Sequence, residues 1–133
     1  MIVVDASALV HALAAETPDP VLVDRLLMED DLRAPHLVDI EVVHALRRLA
    51  AIGEISAERA ADARLDYTAL RLVRYPHLPL LDRIWALRDN LTAYDATYVS
   101  LAEILDVPLV TCDQRLLGAP GHQARVEVFG LAA

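Results

Sequence analysis

Four acidic residues occupy positions where their carboxylates can gather around a metal ion: Asp5, Glu41, Asp95 and Asp113. Asp5 and Asp113 each follow a short apolar run, so each is predicted to lie just past the end of a buried strand. Asp95 lies in the first turn of a predicted helix, and Glu41 projects from another helix. Carboxylates that converge repel one another and raise each other's pKa unless a cation lies among them. The pattern therefore favours a hard divalent ion with oxygen ligands, Mg²⁺ or Mn²⁺.

Each of these acids also has a purely structural interpretation. Asp5 can cap the helix that follows it, Asp95 can face a helix dipole, and Asp113 can be a turn residue. Glu41 can pack its stem beside an apolar stripe while its carboxylate stays in water. The combination of all four favours the metal site over four separate structural roles. Three nearby acids are predicted to lie outside the site: Asp39, Asp82 and Asp89.

Other reactive groups have weaker support. Glu41 and His44 form one E-x-x-H element, whereas a di-iron bundle needs two. The five histidines show no zinc-binding spacing, and a chain with four glycines has no glycine-rich phosphate loop. Cys112 adjoins Asp113 in an apolar run and is expected to be a small buried side chain. All 12 basic residues are arginines, which excludes any mechanism that needs a lysine amine.

Residues 90–116 are predicted to position two of the four acids. Thr92 opens the stretch as a helix cap, and Asp95 follows three residues later, in a variant of the capping box. Five residues at helical spacing then predict one apolar face: Tyr94, Tyr98, Leu101, Ala102 and Leu105. The helix ends at Asp106, and the apolar run after it predicts a buried strand that stops at Asp113. In an open parallel sheet, helix starts and strand ends share the carboxyl edge, where ligands bind.

The rest of the chain alternates predicted strands and helices. Further strands are predicted at residues 1–5, 32–35, 72–75 and 126–129. Further helices are predicted at residues 6–15, 36–52, 56–70, 79–88 and 113–117. Another helix is predicted to follow the turn at residues 17–20 and to end at residue 27. Helix 36–52 is expected to bury the row Leu37, Ile40, Val43, Leu46 and either Leu49 or Ala50. Strands separated by one or two helices imply a central parallel sheet with helices on both faces, in a single α/β domain of residues 1–133.

Length and composition limit the classes of protein to which the chain can belong. Its 133 residues suit one domain, and the 56% of apolar residues is rich enough to indicate a subunit or partner interface. No run approaches the roughly 18 apolar residues of a membrane span, so no membrane partner is expected. The N-terminus lacks the basic lead of a signal peptide.

Cysteine content and charge limit the location and the partners. With Cys112 as the only cysteine, a reducing, cytoplasmic location is expected. The net charge of −8 is the opposite of that of a general nucleic-acid coat. Any nucleic acid must therefore be held by a local patch or through metal ions.

Four sequence blocks, taken in order, resemble those of the PIN-domain nucleases. The blocks are MIVVDASALV, APHLVDIEVVHALRR, NLTAYDATYVSLAE and LVTCDQRL, and the resemblance covers nearly the whole chain. The likeness is closest to the VapC toxins of type II toxin–antitoxin pairs. It implies that the four acids form a quartet that binds Mg²⁺ or Mn²⁺, and that the Ser7 and Thr111 hydroxyls help to position the acids or a water. One departure is His44, where relatives often carry Asn.

The resemblance also implies an activity and partners. It predicts a Mg²⁺- or Mn²⁺-dependent endoribonuclease toxin that cleaves cellular RNA, forms a homodimer and is neutralised by a small cognate antitoxin. The antitoxin is expected in a groove beside the acids, and the dimer face on apolar positions of helices 56–70 and 92–105. From the residues themselves, Arg88 and Arg115 are candidates to hold RNA phosphates through their forked donors. Both arginines are equally consistent with ordinary surface charges that have no role in binding.

Two other functions remain open from the residues. One is a different Mg²⁺-dependent phosphoryl-transfer enzyme. A receiver domain, however, relies on a lysine that this chain lacks, and aspartyl phosphatases begin with D-x-D where this chain has Asp5-Ala6-Ser7. The other is a non-catalytic α/β interaction module whose acids only cap helices. Metal titration separates this module from the enzyme, because capping acids alone form no specific Mg²⁺ or Mn²⁺ site.

Overall fold

A five-stranded parallel sheet forms the centre of the structure, a computed structural model that describes residues 1–130. Its strands are β1 (Ile2–Val4), β2 (Leu32–Pro35), β3 (Leu72–Tyr75), β4 (Leu109–Thr111) and β5 (Val126–Val128). Their order across the sheet is β3-β2-β1-β4-β5. Every residue of β1 and of β4 is buried, and the two strands are neighbours. Asp5 and Asp113, which follow these strands, therefore lie on one edge.

Seven helices and one 3₁₀ turn flank the sheet within the described residues. They are α1 (Ala6–Ala14), α2 (Pro20–Leu27), α3 (Leu37–Ala51), α4 (Ala57–Thr68), the 3₁₀ turn (Leu78–Leu80), α5 (Leu81–Ala86), α6 (Ala93–Leu105) and α7 (Arg115–Gly118). Helices α1, α3 and α4 pack on one another, and α5 packs on α6, which in turn covers β1 and β2. The predicted α/β fold with a central parallel sheet is confirmed. Residues 131–133, the end of the predicted single domain, lie outside the described residues.

Side-chain caps begin three of the helices at the positions where the sequence predicts helix starts. The Asp5 carboxylate accepts the Ala8 N–H at the start of α1, and Ser56 caps α4. Thr92 caps α6 by accepting the Asp95 N–H at 3.2 Å, as the capping-box variant predicts. Each such cap contributes about 1 kcal/mol to helix stability. The caps fix the first turns of α1 and α6 at the edge that carries the acids.

The buried row of α3 differs from the predicted one. Ile40 is 71% exposed and Val43 49% exposed. Leu46 of the predicted row is buried as expected, but the other buried side chains, Val38 and Val42, belong to the neighbouring row. Both rows are apolar, so helical spacing alone does not select the row that packs against α1 and the sheet. The difference brings Glu41, next to Val42, to a half-buried position.

Helix α6 is buried more completely than one apolar face predicts. Residues 96–102 are all buried, because α6 lies between α5 and the sheet. Tyr94, predicted on the apolar face, is 61% exposed. The prediction that α6 contributes its apolar positions to a dimer face is therefore wrong for the middle of this helix, since the core of the same chain covers them.

The helix predicted at residues 79–88 is divided. The Leu80 N–H donates to the His77 carbonyl in a 3₁₀ turn that contains Pro79, and α5 then ends at Ala86. A tight last turn follows, in which the Arg88 N–H donates to the Trp85 carbonyl. Within residues 1–130, none of the helices has both the length and the apolar run that crossing a bilayer requires.

Candidate active site

Asp5 is the most deeply buried of the four acids, with 7% of its surface exposed, and three donors hold its carboxylate. Its Oδ1 accepts the Ser7 hydroxyl at 2.7 Å and the Ala8 N–H at 3.0 Å. Its Oδ2 accepts the Thr111 hydroxyl at 2.5 Å. Two of these donors come from the start of α1 and the third from the end of β4. The position of the carboxylate is therefore set by both strand ends.

The environment of Asp5 disfavours its charge. The pKa of this carboxyl is raised from 3.8 to about 6, mainly by burial and to a smaller extent by the nearby charge of Asp113. The hydrogen bonds from Thr111, Ser7 and Ala8 act in the opposite direction and only partly offset the burial. A cation beside Asp5 would relieve this penalty, since opposite charge favours the ionised form.

Two hydroxyls join the ends of β1 and β4. Ser7 Oγ and Thr111 Oγ1 lie 3.3 Å apart. While each donates to Asp5, Ser7 accepts the Cys112 N–H at 3.0 Å and Thr111 accepts the Asp113 N–H at 2.9 Å. The same hydroxyls therefore orient the Asp5 carboxylate and the backbone that carries Asp113.

Asp113 is paired with an arginine two residues further along the chain. Its carboxylate accepts the Arg115 backbone N–H at 3.0 Å, Nε at 3.0 Å and Nη2 at 2.6 Å. These contacts lower the pKa of Asp113. Because the Arg115 side chain is 81% exposed, the pair contributes little to stability, and the guanidinium can leave it at small cost.

Asp95 is linked to Asp113 through charge. It lies in the first turn of α6, next to the cap made by Thr92. Burial raises the pKa of Asp95 and the charge of Asp113 raises it further, whereas Arg115 lowers it. The helix start and the strand end therefore meet, as expected for the carboxyl edge of a parallel sheet.

Glu41 reaches the same edge from α3. Its Oε1 accepts the Tyr98 hydroxyl at 2.6 Å. Burial raises the pKa of Glu41, the Tyr98 hydrogen bond lowers it, and the charge of Asp95 raises it again. The apolar row of α3 that the sequence predicts would leave Glu41 at its border, whereas the row that packs inward turns this carboxylate toward α6.

The four acids suit a hydrated divalent ion. Asp113 acts electrostatically on Asp5 and on Asp95, and Asp95 acts on Glu41. In the part of the chain that the structure describes, no three His, Cys, Asp or Glu side chains are arranged to ligate one ion directly. Mg²⁺ commonly keeps several waters and takes only one or two protein carboxylates, which fits this looser arrangement of oxygen donors.

A groove of about 1040 Å³ runs along α1 and α3, and of the four acids Glu41 lines it. Ser7, Glu41 and Tyr94 line it near the acids. Leu49 and Ile55 line it further along. Its wall is mainly apolar, and α1 and α3 supply most of it. The groove is therefore suited to an elongated ligand with apolar side chains.

The remaining predicted residues lie in different surroundings. The Arg88 guanidinium lies 4.6 Å from the centre of the Trp85 ring and donates to the Trp85 carbonyl at 3.0 Å. Among the described residues it makes no hydrogen bond to any of the four acids. His44 lines the groove, and its charge lowers the pKa of Glu41. Asp39 accepts the Tyr67 hydroxyl and pairs with Arg74.

Tyr98 is the site residue that the sequence interpretation missed. Its place in an apolar row predicts only packing, and the ring is indeed buried. Its position three residues after Asp95 is the available signal, because residues three apart share one helix face. A tyrosine on the face that carries an acid can pack its ring and still direct its hydroxyl at a carboxylate.

Comparisons with known proteins agree with this architecture. Residues 2–121 match the family model of the PIN domain. Ribonuclease VapC1 of Mycobacterium tuberculosis is 48% identical over 127 residues, covering 95% of this chain and 96% of that protein. Ribonuclease VapC9 of the same organism is 45% identical over 128 residues, covering 96% and 98%. The crystal structure of PAE2754 from Pyrobaculum aerophilum has a TM-score of 0.69 at 28% identity, covering 96% of this chain and 83% of that one. The chain therefore belongs to the PIN-domain family and, within it, to the VapC ribonucleases.

Proposed function

We propose that this protein is a metal-dependent endoribonuclease toxin that cleaves cellular RNA and is neutralised by a cognate antitoxin. Membership of the VapC ribonucleases supports the activity, and PIN-domain nucleases in general depend on metal. The observation that carries the proposal is the buried Asp5 carboxylate, held by three donors beside a second strand-end acid. The proposed metal-binding residues are Asp5, Glu41, Asp95 and Asp113, and the proposed ion is Mg²⁺ or Mn²⁺.

Each protein group has a distinct part in this proposal. When bound, the divalent ion supplies Lewis acidity toward the phosphodiester and toward an attacking water. Asp5 provides a negative charge whose position is held by the hydrogen bonds from Ser7 and Thr111. Asp95 and Asp113 add charge from the helix start and the second strand end. The chain has no lysine to act as a general base, and we assign the orientation of the water to the carboxylates.

Arginines are the proposed contacts to RNA. Arg115 lies beside Asp113, and we propose that it binds a phosphate next to the cleaved bond once it releases that carboxylate. Arg88, stacked on the exposed Trp85, is proposed to contact the RNA further away. A protein with a net charge of −8 attracts RNA weakly over distance, so these local contacts and the ion supply the binding.

The antitoxin is proposed to occupy the groove along α1 and α3. An amphipathic helix or an extended segment can place apolar side chains against Leu49 and Ile55. At the acidic end, a basic residue of the antitoxin would complement Glu41. We place this inhibited complex, and the toxin itself, in the cytoplasm, where the single cysteine stays reduced.

A homodimer is also part of the proposal. Three exposed apolar side chains follow one another along the 3₁₀ turn and α5: Leu78 (78% exposed), Leu81 (49%) and Trp85 (68%). We propose that this stripe forms the dimer face. Static light scattering should give a dimer mass for wild type and a lower mass for Leu81→Glu, with Leu27→Glu as an exposed-leucine control. A wild-type monomer at high concentration would contradict the dimer.

The activity is tested by comparing wild type with Asp5→Asn. Asn keeps a capping oxygen for α1 but removes the charge, so the fold should remain. We expect RNA cleavage to fall by more than about 100-fold, because even residues behind metal ligands commonly contribute 10–100-fold. Asp106→Asn, at an exposed acid, is the control and should cleave normally. Equal Mg²⁺-dependent cleavage by wild type and Asp5→Asn would end the proposal, and sequencing of cleaved RNA from expressing cells would identify the substrate.

A further inference from the structure

The Glu41 carboxylate has one hydrogen-bond donor within residues 1–130, the hydroxyl of Tyr98. The O–O distance is 2.6 Å, and the two residues are 57 positions apart in the chain. The Tyr98 side chain is 2% exposed and is fixed by its packing in the core. The contact therefore joins a rigid point on α6 to a side chain of α3.

Glu41 depends on this contact more than Asp5 depends on any single donor. Three donors hold Asp5: two belong to the first turn of α1 and the third to the end of β4. Glu41 has three side-chain torsions and approaches the site from the second turn of α3. Without a donor on α6, its carboxylate is free to rotate into the groove that it lines.

We propose that Tyr98 is a positioning residue of the active site, whose buried hydroxyl holds the Glu41 carboxylate against α6, the helix that carries Asp95. The inference rests on the proposed metal site, because the purpose of the orientation is to present Glu41 to the ion or to its waters. In this role Tyr98 acts only through Glu41.

The phenol is suited to this task because a tyrosine ordinarily keeps its proton at neutral pH. Its hydroxyl can therefore donate to the Glu41 carboxylate without bringing a charge into the site. A phenol that donates its proton to one Glu41 oxygen leaves the second oxygen available to a metal or a water.

The chain contains a matched contact that lies outside the site. Tyr67 is also buried, at 3% exposure, and its hydroxyl donates to Asp39 Oδ1 at 2.6 Å. Asp39 is additionally paired with Arg74 and is not among the proposed ligands. Removal of the Tyr67 hydroxyl therefore reproduces the loss of a buried tyrosine–carboxylate hydrogen bond without touching the acids of the site.

The test compares Tyr98→Phe with Tyr67→Phe in metal-free and Mn²⁺-titrated protein. Both variants should lose a similar amount of thermal stability, since each keeps its ring and loses one buried hydrogen bond. Only Tyr98→Phe should weaken Mn²⁺ binding, by roughly 10-fold in calorimetry, as residues behind metal ligands commonly do. In a Glu41→Gln background, Tyr98→Phe should cause little further loss, because the two residues act as one unit. Equal Mn²⁺ affinity for the two Phe variants would overturn the inference.

A crystallographic comparison separates this inference from the proposed function. In metal-free Tyr98→Phe crystals, the Glu41 carboxylate should leave its wild-type position or lose defined density, whereas in Tyr67→Phe it should stay. Unchanged Glu41 in Tyr98→Phe rejects the positioning role even if the metal site is real. If wild type binds no Mn²⁺, the proposed metal site fails, and the position of Glu41 still decides whether Tyr98 holds it.

Discussion

At the scale of single residues, hydroxyl groups hold the acids of this site. Ser7 and Thr111 donate to Asp5, and Tyr98 donates to Glu41. A hydroxyl adds no charge, so it can orient a carboxylate without neutralising it. Arg115 is different, because it pairs with Asp113 and offsets part of the charge of that carboxylate. The buried part of the site is therefore ordered while its negative charge is left available to a metal.

The raised pKa of Asp5 predicts how metal-free stability changes with pH. A carboxyl whose folded-state pKa is about 6, against 3.8 unfolded, contributes stability below pH 4 that is lost as the pH rises through 6. Between pH 4 and pH 7 the loss of stability is about 2 kcal/mol. Denaturant unfolding of metal-free wild type should therefore show a larger loss of stability with rising pH than Asp5→Asn does. Parallel curves for the two proteins would show that burial of Asp5 carries no such penalty.

At the scale of elements, the ends of the helices and strands were predictable from the sequence. The faces of α3 and α6 that are buried were not. Thr92 and Ser56 start their helices through contacts with residues three positions away, which a local pattern contains. Asp106 ends α6 with a positive φ of 53°, a conformation that Asp tolerates better than most residues. The inward row of α3 depends instead on α1 and the sheet, which lie elsewhere in the chain.

Substitutions of two adjacent valines on α3 test which face of that helix is buried. Val42 is fully buried and Val43 is 49% exposed. Val42→Ala should lower the free energy of unfolding by about 2 kcal/mol, because two methyl groups leave the core. Val43→Ala should change it by less than about 0.5 kcal/mol. Urea unfolding of the two variants, which differ by one position and carry the same substitution, measures the difference directly. The predicted row with Val43 inside would give the opposite order.

At the scale of the whole molecule, the net negative charge of the protein opposes the RNA binding that the proposed activity requires. The chain carries a net charge of −8, whereas RNA is a polyanion. Affinity must then come from few contacts, and it should depend on salt less steeply than that of a basic nuclease. One exposed arginine beside the acids is therefore expected to have a measurable effect.

Arg115→Ala tests this expectation in an inactive Asp5→Asn background, where RNA remains intact. We expect weaker RNA binding. The slope of the logarithm of the binding constant against the logarithm of the salt concentration should also be smaller by about 1, because one phosphate contact is lost. Arg125→Ala is the matched control, since Arg125 pairs with Asp106 on the surface just as Arg115 pairs with Asp113. Fluorescence anisotropy at several salt concentrations gives both slopes. Equal slopes for the two variants would place the phosphate contacts elsewhere.

The sequence by itself determined the α/β class, the strand ends and the family, and it predicted the four acids as the site. These features depend on residue types and on neighbours within a few positions, so they can be predicted without knowledge of the packing. Only the tertiary structure decided which row of α3 faces inward, that Tyr98 holds Glu41 and that the middle of α6 belongs to the core. Each of these depends on elements that are distant in the chain, such as the 57 positions between Glu41 and Tyr98. When two helix rows are equally apolar, the surrounding elements select the one that is buried.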